Sequence, residues 1–503
     1  EIPDQKYSPD DIVRVSIVLD SASTAEAGYS IFDITSSSPA ASYRKSIRKE
    51  QDDLTKKINK SLDQPLDVQW NLTLAANIIS ANVKYSDIKK ISLVSGVKEV
   101  FIENKYEVAE DVSDPNTSLS SQYIVGGSQS WADGYTGAGS RIAIIDTGTD
   151  DQHQSFSAEA FEYSLKKNAE AAEVDYEEYV EGLNLLTVDE ISSKLSQLNA
   201  NNLVGKHEIS SAESVYKNSK IPFAFNYIDG NTVTDHRNDK QGEHGSHVSG
   251  IAAANRYIKS GEDFVEAIDS VLAVGVAPDA QILTMKVFGD GGGAYDSDYF
   301  AAIEDAIVLG ADSINLSLGS GSQGFSFNQT YQDILDSLVD SGAVVTISAG
   351  NNYSWADYSK IGGLFGDDIA FHTGGSPGSY VNSLGVASSN NVGSTGSPLV
   401  FNGDQKVFYS ETENNGGTIL DEAGTHDYVY IYGIGEEKEY EAVNEVVSLK
   451  GKVVITNRGT LNFSAKGNNL IEFEPVALVV ANNEPGIINM QLDDYKGTFP
   501  MVS

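Results

Sequence analysis

Ile12-Val13-Arg14-Val15-Ser16-Ile17-Val18 alternates apolar and polar side chains, the period of a strand with one buried face. Strand-like runs recur at 68–72, 78–83 and 97–102. A charged helical stretch spans 42–62, and a short helix fits 86–93. Two helices against four strands in the first hundred residues predict a small two-layer α+β unit. Residues 111–121 are polar and contain Pro115, which marks an exposed linker.

From Arg141 the period changes. Ile142-Ala143-Ile144-Ile145 is apolar without a break, and further buried strands are predicted at 282–287, 313–316 and 344–347. Helical patterns fall between them, at 297–309 before Gly310 and at 328–339 before Gly342. Strands alternating with helices predict a parallel sheet covered on both faces, with ligands at the carboxyl ends of its strands. An acidic helical insertion at about 157–220 interrupts the alternation. Within it Thr187 and Glu190 have capping-box spacing, and Ile191, Leu195 and Leu198 share one helical face. From about Leu399 a second, strand-rich module begins, with strands at 428–432, 452–456 and 476–480.

A length of 503 residues allows two or three domains, and 40% hydrophobic residues allow a sizeable core. The net charge of -38 argues against a nucleic-acid-binding face and against docking on an anionic membrane. The carboxylate excess leaves room for calcium as a structural ion, and acidity alone would also allow a calcium-dependent adhesion or scaffold protein. The absence of cysteine excludes disulfides, thiolate metal sites and thiol nucleophiles. No apolar run approaches a membrane span. The chain starts at Glu1 without a signal peptide, as a processed or excised segment does.

Three segments carry candidate chemistry. Asp146 ends the apolar strand and is followed by Thr147 and Gly148, where an Asp serves either function or the next turn. His244 opens a helix rich in small residues, Gly242-Glu243-His244-Gly245-Ser246-His247-Val248-Ser249-Gly250. The positive end of a helix dipole disfavours imidazolium, which suits a proton acceptor. A metal shared by His244 and His247 is the alternative and needs a third ligand. Asn351, after Thr346-Ile347-Ser348-Ala349-Gly350, fits either an oxyanion donor or a left-handed turn. The glycine-rich edges at Gly291-Gly292-Gly293 and Ser317-Leu318-Gly319 allow an extended peptide to pair with exposed backbone.

In this order the segments resemble the subtilisin-like serine proteases, or subtilases. The resemblance implies that Asp146 orients the histidine, His244 is the general base and Asn351 is the oxyanion donor. It implies that Ser317, Leu318 and Gly319 line the specificity pocket and that Gly291, Gly292 and Gly293 form the substrate edge. The family usually has Thr and Ala where this chain has Ser246 and Ser249. Residues 1–108 resemble a propeptide that inhibits and assists folding, and 109–398 the N-terminal part of a catalytic domain. Ile221-Pro222-Phe223-Ala224-Phe225-Asn226-Tyr227 resembles cell-envelope proteinases of the lactocepin kind. Lys450-Gly451-Lys452-Val453-Val454-Ile455 and Ala481-Asn482-Asn483 make 399–503 similar to their inserted, β-rich protease-associated domain. The implied protein is a secreted or cell-envelope endopeptidase with peptide substrates, no required cofactor and its own propeptide as inhibitor.

The family's Gly-Thr-Ser-Met-Ala, which carries the nucleophile, is absent. Gly393-Ser394-Thr395-Gly396-Ser397 is a poor substitute in a polar stretch. The chain is therefore expected to stop before its serine and to be inactive alone; the alternative is a non-catalytic pseudoprotease or peptide-binding scaffold.

Overall fold

The computed structural model describes residues 7–31, 34, 38–108, 125–201, 209–235, 242–271, 273–289, 293–319, 328–350, 376–387, 398–403, 405–411, 416–422, 424–483, 488, 490–492 and 494–503. The chain divides into two compact units, Glu1–Val392 and Gly393–Ser503.

At the start of the first unit, β1 (Ile12–Leu19), α1 (Pro39–Asn59), β2 (Asp67–Leu72), β3 (Ile78–Lys84) and β4 (Val97–Ile102) form the expected α+β layer pair. The sheet is antiparallel with strand order β2-β3-β1-β4. Pro39 at the first turn and the Ser38 side chain, which accepts from the Ala41 N–H, start α1. The two-residue period of β1 divides its side chains. Val13, Val15, Ile17 and Leu19 join Leu54 and Ile58 of α1 in one core. Arg14, Ser16 and Val18 face the other way, and Val18 belongs to the main core of the larger sheet. The next strand, β5 (Lys105–Val108), is not part of this four-stranded sheet.

The larger sheet contains β6 (Arg141–Asp146), β7 (Phe223–Asn226), β8 (Gln281–Lys286), β10 (Ser313–Leu316), β12 (Val344–Ser348) and β13 (Leu384–Val386). All neighbours are parallel, in the order β13-β12-β10-β6-β8-β7, so the strand ending in Asp146 is central. Two short strands, β9 (Ala294–Tyr295) and β11 (Leu318–Gly319), stand outside it. Three helices follow strand ends or edges: α2 (His244–Ala253), α3 (Asp296–Val308) and α4 (Gln329–Ser341). Every described side chain of α3 is buried, because the sheet lies on one side and the α+β layer on the other. The insertion is helical as read, with helices at Ala158–Ala171, Tyr176–Leu183 and Val188–Lys194 and the Thr187–Glu190 capping box formed.

The second unit holds a parallel sheet of Tyr428–Tyr430, Val453–Asn457, Ala477–Ala481 and Met501–Val502, in that order. Helices at Glu437–Asn444 and Phe463–Asn468 alternate with these strands, so the module is α/β in its connections as well as rich in strands. Its core is built on Tyr440, Val454, Leu470, Leu478 and Met501.

Candidate active site

Ala143, Ile144 and Ile145 are buried on both faces of the central strand, which carries Asp146 to its carboxyl end. Gly148 then turns the chain at φ +110, where a Cβ would lie 2.0 Å from the Thr234 carbonyl oxygen. The helix α2 starts directly against this loop. A Cβ on Gly245 would come 2.1 Å from the Gly148 carbonyl oxygen, so the motif needs glycine there to let helix and loop touch.

The contact brings His244 to Asp146. Nδ1 of His244 lies 2.8 Å from Oδ1 of Asp146, which also accepts from the Thr147 N–H at 2.6 Å. An ionised carboxylate can only accept, so Nδ1 carries the proton and Nε2 is left as the basic nitrogen. Around the pair the loop and helix are tied three more times. The Gly245 N–H donates to Thr147 Oγ1 (2.9 Å), the Asp150 N–H donates to Ser246 Oγ (2.8 Å), and the hydroxyls of Thr149 and Ser249 are 2.7 Å apart. The buried Lys286 ammonium donates to the Thr147 carbonyl from β8. Sequence reasoning missed Lys286, Thr149 and these partnerships, since nothing in the spacing distinguishes them from surface polar residues.

Among the described residues the buried Nε2 of His247 has no hydrogen-bond partner. Among the described residues no group of three or more His, Asp or Glu converges as metal ligands would. The His244–His247 pair therefore finds no third such ligand among them.

A second feature lies at the sheet edges expected to hold substrate. The strand β5 runs antiparallel between β9 and β11, pairing Tyr106 with Ala294, Lys105 with Tyr295, Val108 with Leu318 and Glu107 with Gly319. An extended segment of the chain's own N-terminal part is therefore held as a strand between these two edges. Leu318 and Gly319, expected to line a specificity pocket, are here backbone partners of β5. On the other side the pairing residues are Ala294 and Tyr295, next to the glycine run; Gly293 lies against Lys105, and Gly291 and Gly292 fall outside the described residues. Ser317 is partly buried and its Oγ accepts from Asn315 Nδ2. β12 ends at Ser348 just before the predicted oxyanion segment, but Asn351 lies outside the described residues, as does 393–397.

Tyr106 was not foreseen as an anchor. It is 1% exposed and meets the Tyr299 ring edge-on at 5.6 Å. Beneath it, α3 presents Asp296, which accepts from the hydroxyls of Tyr299 and Tyr331 and from the Asn104 N–H. Burial first, and then the neighbouring Glu103 carboxylate, push the Asp296 carboxyl up to about 7.

Residues 137–484 match the family model for Peptidase_S8, the subtilase family. The chain belongs to the subtilase family. This subtilase is 29% identical over 424 residues to the PII-type proteinase of Lacticaseibacillus paracasei, a match covering 81% of this chain and 19% of that protein. It is 27% identical over 443 residues to the minor extracellular protease Vpr of Bacillus subtilis, covering 86% of this chain and 42% of the relative. The subtilase chain thus spans about a fifth of the length of the first and less than half of the second. Among solved structures, the epidermin leader peptide processing serine protease of Staphylococcus aureus overlaps 74% of this chain and 68% of its own, with 16% identity and a TM-score of 0.38, too loose a likeness to add to the family match. No helix among the described residues is long and apolar enough to cross a membrane.

Proposed function

We propose that this subtilase is a serine endopeptidase that works outside the cell or at its envelope, with residues 1–108 as an inhibitory propeptide. The observation that carries the reading is the buried Asp146 carboxylate holding His244 by Nδ1, at the carboxyl end of the central strand. The strand β5 held between β9 and β11 adds the substrate's place. In the proposed reaction a serine hydroxyl opposite Nε2 attacks the peptide carbonyl and His244 takes its proton. His244 returns that proton to the leaving amine, and water then releases the acyl group by the same route. Asp146 stays ionised and keeps the imidazole tautomer. Asn351 would donate to the oxyanion, and Ser317, Leu318 and Gly319 would receive the substrate backbone.

The serine required is placed on sequence beyond these 503 residues, because Gly-Thr-Ser-Met-Ala is absent from them. The module 399–503 is assigned to control of access, as a protease-associated domain. A serine-directed fluorophosphonate probe tests the reading on this chain and on a longer parent chain. The expected result is no labelling of the first and labelling of the second, lost on His244→Ala. Labelling of a serine within 1–503 that depends on His244 would move the nucleophile. A parent that binds peptides but neither labels nor turns over substrate would make the protein a peptide-binding scaffold.

A further inference from the structure

The seam between the loop of Asp146 and the helix of His244 contains two hydroxyls that water does not reach. Thr149 is 1% exposed and Ser249 0%. Thr149 follows Asp146 by three residues, Ser249 follows His244 by five, and their Oγ atoms are 2.7 Å apart. Near Ser249, Val248, Ala252 and Ala253 of the same helix pack into an apolar cluster with Ile144 and Phe156. In such a place either hydroxyl alone would be an unpaired buried donor and is destabilising. Paired, one hydroxyl donates and the other accepts, and such a pair is close to neutral against an apolar pair of the same shape. The bond therefore contributes little net stability, while it imposes a distance and a direction that two apolar side chains would not.

Besides the His244–Asp146 bond itself, two of the ties across this seam use a backbone N–H, at Gly245 and Asp150. The Thr149–Ser249 bond joins side chain to side chain and is the more deeply buried. Ser246 and Ser249 both direct their hydroxyls to the Asp146 loop. A shift of helix against loop would be felt first at the bond from His244 Nδ1 to Asp146 Oδ1, which spans the same seam.

We propose that Thr149 and Ser249 are positioning residues that set the distance and angle of the Asp146–His244 pair. Their value for turnover rests on the peptidase reading above; their effect on the pair does not. The test uses the 503-residue chain with labelled histidine, following the solvent exchange of the His244 Nδ1 proton by NMR beside the melting temperature. Ser249→Ala and Thr149→Val should each lower the melting temperature. The double variant, with no orphan hydroxyl left, should regain most of it. In all three the Nδ1 proton should exchange about tenfold faster or more, a modest loss for a displaced catalytic contact. Thr149→Ser, which keeps the hydroxyl, should keep the slow exchange. A double variant that regains both stability and slow exchange would show that the pair only fills space, and so would a Thr149→Ser variant as impaired as Thr149→Val. In an active parent chain, the double variant should lose about tenfold in kcat with KM unchanged. An inactive parent with the predicted exchange pattern would sink the peptidase reading and leave the positioning role standing.

Discussion

Gly245 and Gly148 meet across the same seam with no room for a methyl group. Gly245→Ala should lift α2 off the loop, because the obstructing atom is a backbone oxygen and cannot swing aside. Overpacking of this kind costs about 1–3 kcal/mol, read from thermal unfolding of the variant. An unchanged melting temperature with an intact His244–Asp146 bond would show that the contact is looser than drawn. For Asn351, Asn351→Ala in an active parent chain should lower kcat by roughly a hundred- to a thousandfold with little change in KM; that magnitude comes from a subtilisin's oxyanion asparagine and is carried over by analogy. At this scale the sequence revealed what local context sets apart. Asp146 ends an apolar run and His244 opens a run of small residues, so both stand out. Thr149, Ser249 and Lys286 do not, because a hydroxyl or ammonium is legible as buried only once its partner, distant in sequence, is known.

Helix α3 shows the same limit for a whole element. Its span is readable from its apolar period and Gly310, but that period says nothing of where Asp296, Asp298, Glu304 and Asp305 lie. All four are buried. Leu74 and Ala75 N–H groups donate to Glu304 Oε1, with Arg44 3.7 Å from Oε2. Trp70 Nε1 and Arg14 Nη1 donate to Asp298 Oδ1. Asn199 and Ala200 N–H groups and the Tyr227 hydroxyl donate to Asp305. Around Asp296 stand Glu103, Tyr106, Tyr299 and Tyr331, and Glu103 itself accepts from Ser16, Ser80 and Ser297. Burial raises the carboxyls of Glu103 and Asp298, and brings those of Asp296 and Asp305 up to about 7. A carboxyl whose value is raised in the docked state is protonated more readily there than in the open state. Its contribution to docking is complete below about 4 and is lost as pH rises through about 7. The N-terminal layer should therefore be held more weakly at pH 8 than at pH 5, by up to about tenfold per pH unit below 7 for Asp296 alone. Trp70 reports on the contact, so the urea midpoint of its fluorescence should fall over that range, and Asp296→Asn should flatten the fall. A slope identical in the variant would remove Asp296 from the account.

On the scale of the molecule, two compact units predict two unfolding events. Leu478 is buried in the second core, and Leu478→Ala should cost that unit about 2–5 kcal/mol. Calorimetry should show one transition displaced and the other in place; a common shift would mean that the units unfold together. In the first unit, β13 pairs on one side only among the described residues and leaves Leu384 56% exposed. Open apolar edges of this sort template association. Light scattering of the 503-residue chain should show self-association that Leu384→Lys reduces.

In the proposed reading β5 blocks the sheet to which residues 109–140 of the same chain lead back. A tethered segment returns to its place at an effective concentration on the order of millimolar, whatever the dilution of the protein. A free peptide of micromolar affinity competes with that and mostly loses. One cut in the connection changes the order of the reaction. The segment becomes a separate solute, it escapes more completely the more dilute the sample, and the cleft opens on a schedule set by protein concentration. For the uncut chain no such dependence exists. If residues 1–108 inhibit as proposed, latency is a property of connectivity, and a protein with identical contacts but a broken thread would be a different, self-diluting inhibitor complex.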